Sequence, residues 1–232
     1  GSYSASFTGQ QLLLSQNFPS FSPTPPTVVV TDTPSQRAAD AFAVSADDKP
    51  LDLRQDRVNR FELGSDLANS RGFGSIRIDN PDGDIVVERG VTLKFAPRGS
   101  FTLLGANVAA RGRVLARDLV AETPLPVPGG AISLSAYNIS PSVAEALKLD
   151  LNAVTPPPNA GRGTVRIASG AVLSTAGLLV DDRLNADVPF GMPLVTTGGS
   201  VTVAGYSTLL EKGSLIDVSG GVAMSPTGRR TY

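Results

Sequence analysis

Asp181, Asp182 and Arg183 stand side by side in the sequence, two carboxylates with a guanidinium next to them. Paired acids can divide the work of a general acid and a general base in glycosidic cleavage. On a β-helical scaffold such a pair would suit a polysaccharide lyase or hydrolase, and Asp181/Asp182 carry that alternative. The competing reading is a solvated loop whose acids are paired with the arginine. A second cluster, Asp79-Asn80-Pro81-Asp82-Gly83-Asp84, holds three carboxylates in six residues. Asp79, Asp82 and Asp84 make a weak calcium candidate, while Asn-Pro and Asp-Gly are equally at home in a turn. Tyr137 and Asn138 open the longest interruption of the pattern and join Asp181, Asp182 and Arg183 as candidate binding residues.

Composition narrows the chemistry sharply. The 232 residues include no histidine and no cysteine. Nucleophilic constellations built on Ser-His-Asp or Cys-His are therefore excluded, as are disulfides and thiolate metal sites. No cofactor is expected. A net charge of −1 makes no case for nucleic acid. Leu12-Leu13-Leu14 is far too short for a signal-peptide core. Gly1-Ser2 has the look of a cloning scar, and the chain reads as an interior piece of a longer protein. Arginines at 54, 57 and 60 would line one face of a helix, either as an anion site or as a solvated stripe neutralised by Asp52, Asp56 and Glu62.

The elements that must hold these residues are short and repetitive. Gly74-Ser75-Ile76-Arg77-Ile78, Gly99-Ser100-Phe101-Thr102-Leu103, Gly130-Ala131-Ile132-Ser133-Leu134, Gly163-Thr164-Val165-Arg166-Ile167 and Gly199-Ser200-Val201-Thr202-Val203 share one rule. A glycine and a small or polar residue lead into apolar-polar-apolar, which turns one face inward at period two. Strands so short bury nothing alone, so the copies must stack on one another. Glycine (24) and proline (18) supply the breaks, and the glycines are expected to adopt positive φ there. A core with 6% aromatics and no tryptophan suits narrow coils.

The expected fold is all-β, a right-handed parallel β-helix with loop and short-helix insertions. Residues 1–72 read as a Pro/Ser/Thr-rich segment, extended or flanking the coils, with a strand at 27–31 and a helix candidate at 35–46. Coils occupy 73–221, with excursions at 121–130, 137–161 and 178–197, and 222–232 form a tail. Within 137–161, Ser140 to Asn152 carries Pro141 at a helix start and Val143, Leu147 and Leu151 at helical spacing. That apolar side is expected to pack on the coil flank. Asn138-Ile139-Ser140 matches the glycosylation triplet.

The ending Gly199-Ser200-Val201-Thr202-Val203 … Gly213-Ser214-Leu215-Ile216-Asp217-Val218-Ser219-Gly220-Gly221 resembles the large exoproteins of the filamentous-haemagglutinin type. GTVRIASGAVLSTAG at 163–177 and the run from Gly74 to Leu93 share the style. The resemblance spans about residues 73–221. It implies a segment of a Gram-negative protein, secreted or displayed at the cell surface, exported through an outer-membrane transporter as in two-partner secretion. It also implies a role in adhesion to host or bacterial cells, with glycans as candidate ligands and the neighbouring coils of the full-length chain as structural partners. The family's secretion domain carries an Asn-Pro-Asn-Gly motif; Asn80-Pro81-Asp82-Gly83 departs from it at Asp82, which implies an interior segment. No catalytic residue is carried over.

Overall fold

In the computed structural model of the chain, residues 2–6, 25–34, 59–96, 98–115, 129–150, 161–177, 179–181, 183 and 195–232 are described. They are mostly β. The strands are β1 (Ser2–Ser6), β2 (Thr27–Thr31), β3 (Arg60–Gly64), β4 (Ser75–Asn80), β5 (Asp84–Val87), β6 (Thr92–Lys94), β7 (Ser100–Gly105), β8 (Asn107–Ala110) and β9 (Arg113–Leu115). They continue as β10 (Ala131–Ala136), β11 (Thr164–Ile167), β12 (Val172–Ser174), β13 (Leu179–Asp181), β14 (Ser200–Ala204), β15 (Ser207–Leu210), β16 (Leu215–Asp217), β17 (Val222–Met224) and β18 (Arg230–Thr231). Two short helices interrupt them, α1 (Asp66–Asn69) and α2 (Pro141–Leu147).

Apart from β2–β3 and β17–β18, consecutive strands fall in different sheets. The first sheet runs β1-β4-β7-β10-β14, the second β15-β11-β8-β5-β2-β3 and the third β16-β12-β9-β6. A fourth holds β13-β17-β18. All pairings are parallel except β17 with β18. Register keeps like over like: Ile76 lies on Phe101, Phe101 on Ile132 and Ile132 on Val201. In the second sheet Ile85, Val108 and Val165 form a column. In the third, Leu93, Val114 and Leu173 do the same.

These columns are the apolar positions of the repeat, and their alternation explains the burial. Phe101 and Leu103 are buried on β7 while Ser100, Thr102 and Leu104 are only partly covered. Parallel sheets covered on both faces carry continuous apolar runs. Here only one face is covered, so the period-two pattern survives. Inner residues of all three sheets, such as Ile76, Ile85 and Leu93, belong to one core. The turn from second to third sheet is made the same way in three of its four occurrences, the β8–β9 turn being the exception. Gly90, Gly170 and Gly213 adopt φ of 89°, 78° and 88°, a region closed to most side chains.

Strand pairing starts before residue 73, where the sequence places the first coil. β1 pairs with β4, β2 with β5, and β3 adds beyond β2. The reason is visible in Thr27 to Thr31: its inward residues Val28 and Val30 lie directly on Ile85 and Val87. The helix candidate at 35–46 and arginines 54 and 57 lie outside the described residues. Arg60 begins β3 and is neutralised by Glu62 at 2.8 Å and Glu88 at 2.9 Å.

Phe61, Leu67 and Phe73, from β3, α1 and the segment that follows it, pack on the core. Among the described residues no strand lies beside the outer edge of β6, and Asn69 at the end of α1 takes that place. Its Nδ2 donates to the Thr92 carbonyl and its Oδ1 accepts from the Lys94 N–H, both at 2.8 Å. A side-chain amide thus makes the two bonds that one residue of a parallel strand would make.

α2 begins at Pro141 as the sequence suggests, but it ends at Leu147, with Lys148 left-handed at φ 54°. The expected apolar side does not pack inward. Val143 and Leu147 are exposed, and Ala144 is the residue that is fully buried. Leu151 lies outside the described residues. The 222–232 tail is a small hairpin in which β17 joins β13 and β18 folds back antiparallel.

Candidate functional site

The corner between the first and second sheets gathers most of the polar side chains that the sequence singles out. Tyr137 follows β10 and Asn138 comes next, so both stand at the root of the 137–161 excursion. Asp79 ends the outward face of β4, Asp82 sits in the turn into β5, and Asp84 opens β5. The sequence treats these as two separate candidates, and parallel stacking brings them to one corner.

Arg162 ties them together. Its Nε donates to the Tyr137 carbonyl at 3.1 Å and one terminal nitrogen to the Pro81 carbonyl at 2.6 Å. The other terminal nitrogen reaches Asp82 at 3.3 Å. Only 14% of its side chain is exposed, so the ion pair is largely screened from water. Asn107, which opens β8, completes the root. It donates to Asp84 at 2.8 Å and to the Gly161 carbonyl, and accepts from the Thr164 N–H at 3.1 Å. Asn138 Oδ1 accepts from the Tyr206 N–H at 3.1 Å. Sequence reading missed Arg162 because it lies between Gly161 and Gly163, where only the following strand shows a pattern.

The three acids of the calcium candidate do not converge. Asp79 is held by Arg77 at 3.2 Å, Asp82 by Arg162, and Asp84 by Asn107. Among the described residues no group of three acidic, histidine or cysteine side chains is placed to hold a metal ion. Tyr137 is half-buried beside Asp79; burial, and then that negative charge, raise its pKa. The phenol therefore stays protonated and able to donate through the neutral range. Ser140 of the glycosylation triplet is buried, its hydroxyl 2.8 Å from that of Ser142.

Asp181 and Arg183 lie elsewhere, at the end of β13 in the fourth sheet. Arg183 closes back on Asp181 through Nε at 2.9 Å and a terminal nitrogen at 2.7 Å. This grip lowers the carboxyl's pKa and raises that of the guanidinium. A carboxylate so held is a poor proton donor near neutrality. Asp182 lies outside the described residues.

A third polar contact links rungs on the outer face of the second sheet. Glu211, just after β15, accepts from the Ser169 N–H at 2.9 Å and from Arg166 Nε at 2.5 Å. The Ser169 bond first, then Arg166, holds its pKa below the ordinary range. A lowered folded-state pKa contributes stability that is present above the unfolded value, about 4.3 for glutamate, and lost as pH falls through the folded one. The Glu211→Gln chain is therefore expected to lose less thermal stability than the parent between pH 5 and 3, read as melting temperature against pH.

The described residues thus make up a mostly β protein of parallel sheets with a polar, cross-braced corner. No family model, curated protein or solved structure matches the chain.

Proposed function

We propose that this chain is a right-handed parallel β-helix, a rigid shaft that presents loops for adhesion. The observation that carries the reading is the dealing of strands in turn to three in-register parallel sheets that share one core. A chain that returns to the first sheet at β4, β7, β10 and β14 is what coiling would produce, and the right hand is the usual one for parallel crossovers. The excursion at 137–161 leaves from a corner fixed by Arg162, Asn107 and Asn138, so it is displayed on a stiff base. Recognition sites favour loops held in this way.

The texture of 163–177 and 199–221 supports placing the chain among exoproteins of the filamentous-haemagglutinin type. In that setting it is a secreted or surface-displayed segment of a Gram-negative bacterium, non-catalytic, exported through an outer-membrane transporter. Its ligands would be cell-surface glycans met by the Tyr137 hydroxyl and the exposed carboxylates of the corner. The test compares the intact chain with one lacking 140–160 on a glycan array and on whole cells. Binding that is lost with the excursion is expected. Absence of binding by the intact chain to every glycan and cell type would remove the recognition role.

A further inference from the structure

The turn from second to third sheet is shorter on one rung than on the others. Residues 88–91, 168–171 and 211–214 each give it four residues, whereas between β8 and β9 it is only Arg111 and Gly112. The Arg111 N–H donates to the Val87 carbonyl and the Ala168 N–H to the Ala110 carbonyl, so Arg111 stacks in line with Glu88 and Ala168. Gly112 is pressed onto the rung beneath. A Cβ there would stand 2.6 Å from the Val91 carbonyl oxygen and 2.7 Å from that of Glu88. The short turn therefore leaves a notch between the bends at Gly90 and Gly170, both of which have open space around them.

Arginines gather at this notch. Arg89 stands on one side of it, Arg111 lies in it, and Arg113 opens β9 on the outward face; all three are exposed. Elsewhere on this flank the chain answers its arginines with its own carboxylates: Arg60 with Glu62 and Glu88, Arg166 with Glu211. At the notch the acid is missing. Arg111 takes the stack position that Glu88 and Glu211 hold on other rungs, and Glu88 is engaged by Arg60. Among the described residues no carboxylate pairs with Arg111 or Arg113. Arg89 is a lesser cause, after the Ser169 N–H and Arg166, of the lowered Glu211 pKa, so its guanidinium reaches toward that carboxylate across the short turn.

We propose that the notch binds an acidic polysaccharide, a polyuronate whose carboxylates pair with Arg111 and Arg113 while Arg89 adds a flanking charge. A guanidinium holds a planar carboxylate through two parallel N–H bonds, as Arg183 holds Asp181 in this chain. An acidic protein segment fits less well. β5, β8, β9 and β11 each have a strand on both sides, so no peptide strand can add here. A polysaccharide needs no free edge and can lie along the ridge with a charged group on each sugar. The notch has described rungs on both sides, so it owes nothing to either end of the stack. It is a different corner from the one that bears Tyr137, and the inference is independent of the adhesive role.

The test uses the 232-residue chain and a fluorescently labelled oligogalacturonate, followed by anisotropy without divalent cations. Saturable binding that weakens as salt rises is expected. Arg111→Gln and Arg113→Gln should each weaken it about five- to tenfold, the loss of one charge-assisted pair. Arg111→Lys keeps the charge without the fork and should also bind more weakly than the parent. Arg71→Gln, at the exposed pair with Asp66, and deletion of 140–160 should both leave the affinity unchanged, which separates this site from the Tyr137 corner. Circular dichroism and melting temperature check that each variant is folded. The methyl-esterified oligomer, which has lost its carboxylates, should not bind, and polyglutamate of matched charge should bind more weakly. No binding by the intact chain, an affinity indifferent to both arginines, its loss with 140–160, or polyglutamate binding as tightly as the uronate would each overturn the proposal.

Discussion

Alanine at Phe101 is expected to lower the free energy of unfolding by about 3–5 kcal/mol, the range for removing a buried phenylalanine. Phe101 is 1% exposed, lies between Ile76 and Ile132 in the first-sheet column, and has its ring centre 5.4 Å from that of Phe95. In a stack each rung is held chiefly by its neighbours, so the cavity weakens contacts above and below at once. Thr102→Ala, on the outward face of the same strand, should change stability by no more than about 0.5 kcal/mol. Denaturant titrations of the two variants measure the difference. Equal losses would mean that the columns are not the source of stability.

Gly199→Ala is expected to destabilise by about 2–4 kcal/mol, through forced backbone movement and not through lost burial. A Cβ at Gly199 would stand 1.9 Å from the Gly130 carbonyl oxygen and 2.7 Å from the Gly129 carbonyl carbon, both main-chain atoms that cannot swing aside. Gly220→Ala supplies the contrast. No atom lies within 4 Å of its Cβ position, and Gly220 is not among the glycines with positive φ. Alanine there should be neutral or stabilise by up to about 1 kcal/mol, by restricting the unfolded chain. Melting temperatures of the pair decide the matter.

That contrast shows where the sequence was legible. Gly-small-apolar-polar-apolar marks a strand each time, in the first sheet at β4, β7, β10 and β14 and in the second at β11, because covering one face alone imposes the period of two. The role of the glycines was harder to read. Gly213 bends the chain with positive φ as expected, whereas Gly198, Gly199 and Gly129 are there because backbones touch: a Cβ at Gly198 would stand 2.2 Å from the Val218 carbonyl oxygen. The bending glycines stand singly, as in Lys212-Gly213-Ser214, while Gly129, Gly198 and Gly199 belong to Gly-Gly pairs, a difference of context whose meaning shows only once the backbones are placed side by side. Thr27 to Thr31 was legible as a strand but not as part of the stack, because its partner Asp84–Val87 is far along the chain. The polar corner was half visible. Tyr137, Asn138 and the aspartates drew notice by type, but their convergence depends on register between rungs, and Arg162 carries no local signature. Asp181 drew notice by its adjacency to Asp182 and Arg183, and its ion pair with Arg183 depends on side-chain placement that adjacency alone does not give.

Asn69 caps the outer edge of β6 with a side-chain amide, whereas nothing among the described residues pairs beyond β14, β15 or β16, whose inward residues Leu210 and Ile216 stay exposed. Amide protons of β14 to β16 should exchange with solvent sooner than those of β5 to β9, in a gradient that hydrogen-exchange mass spectrometry can follow rung by rung.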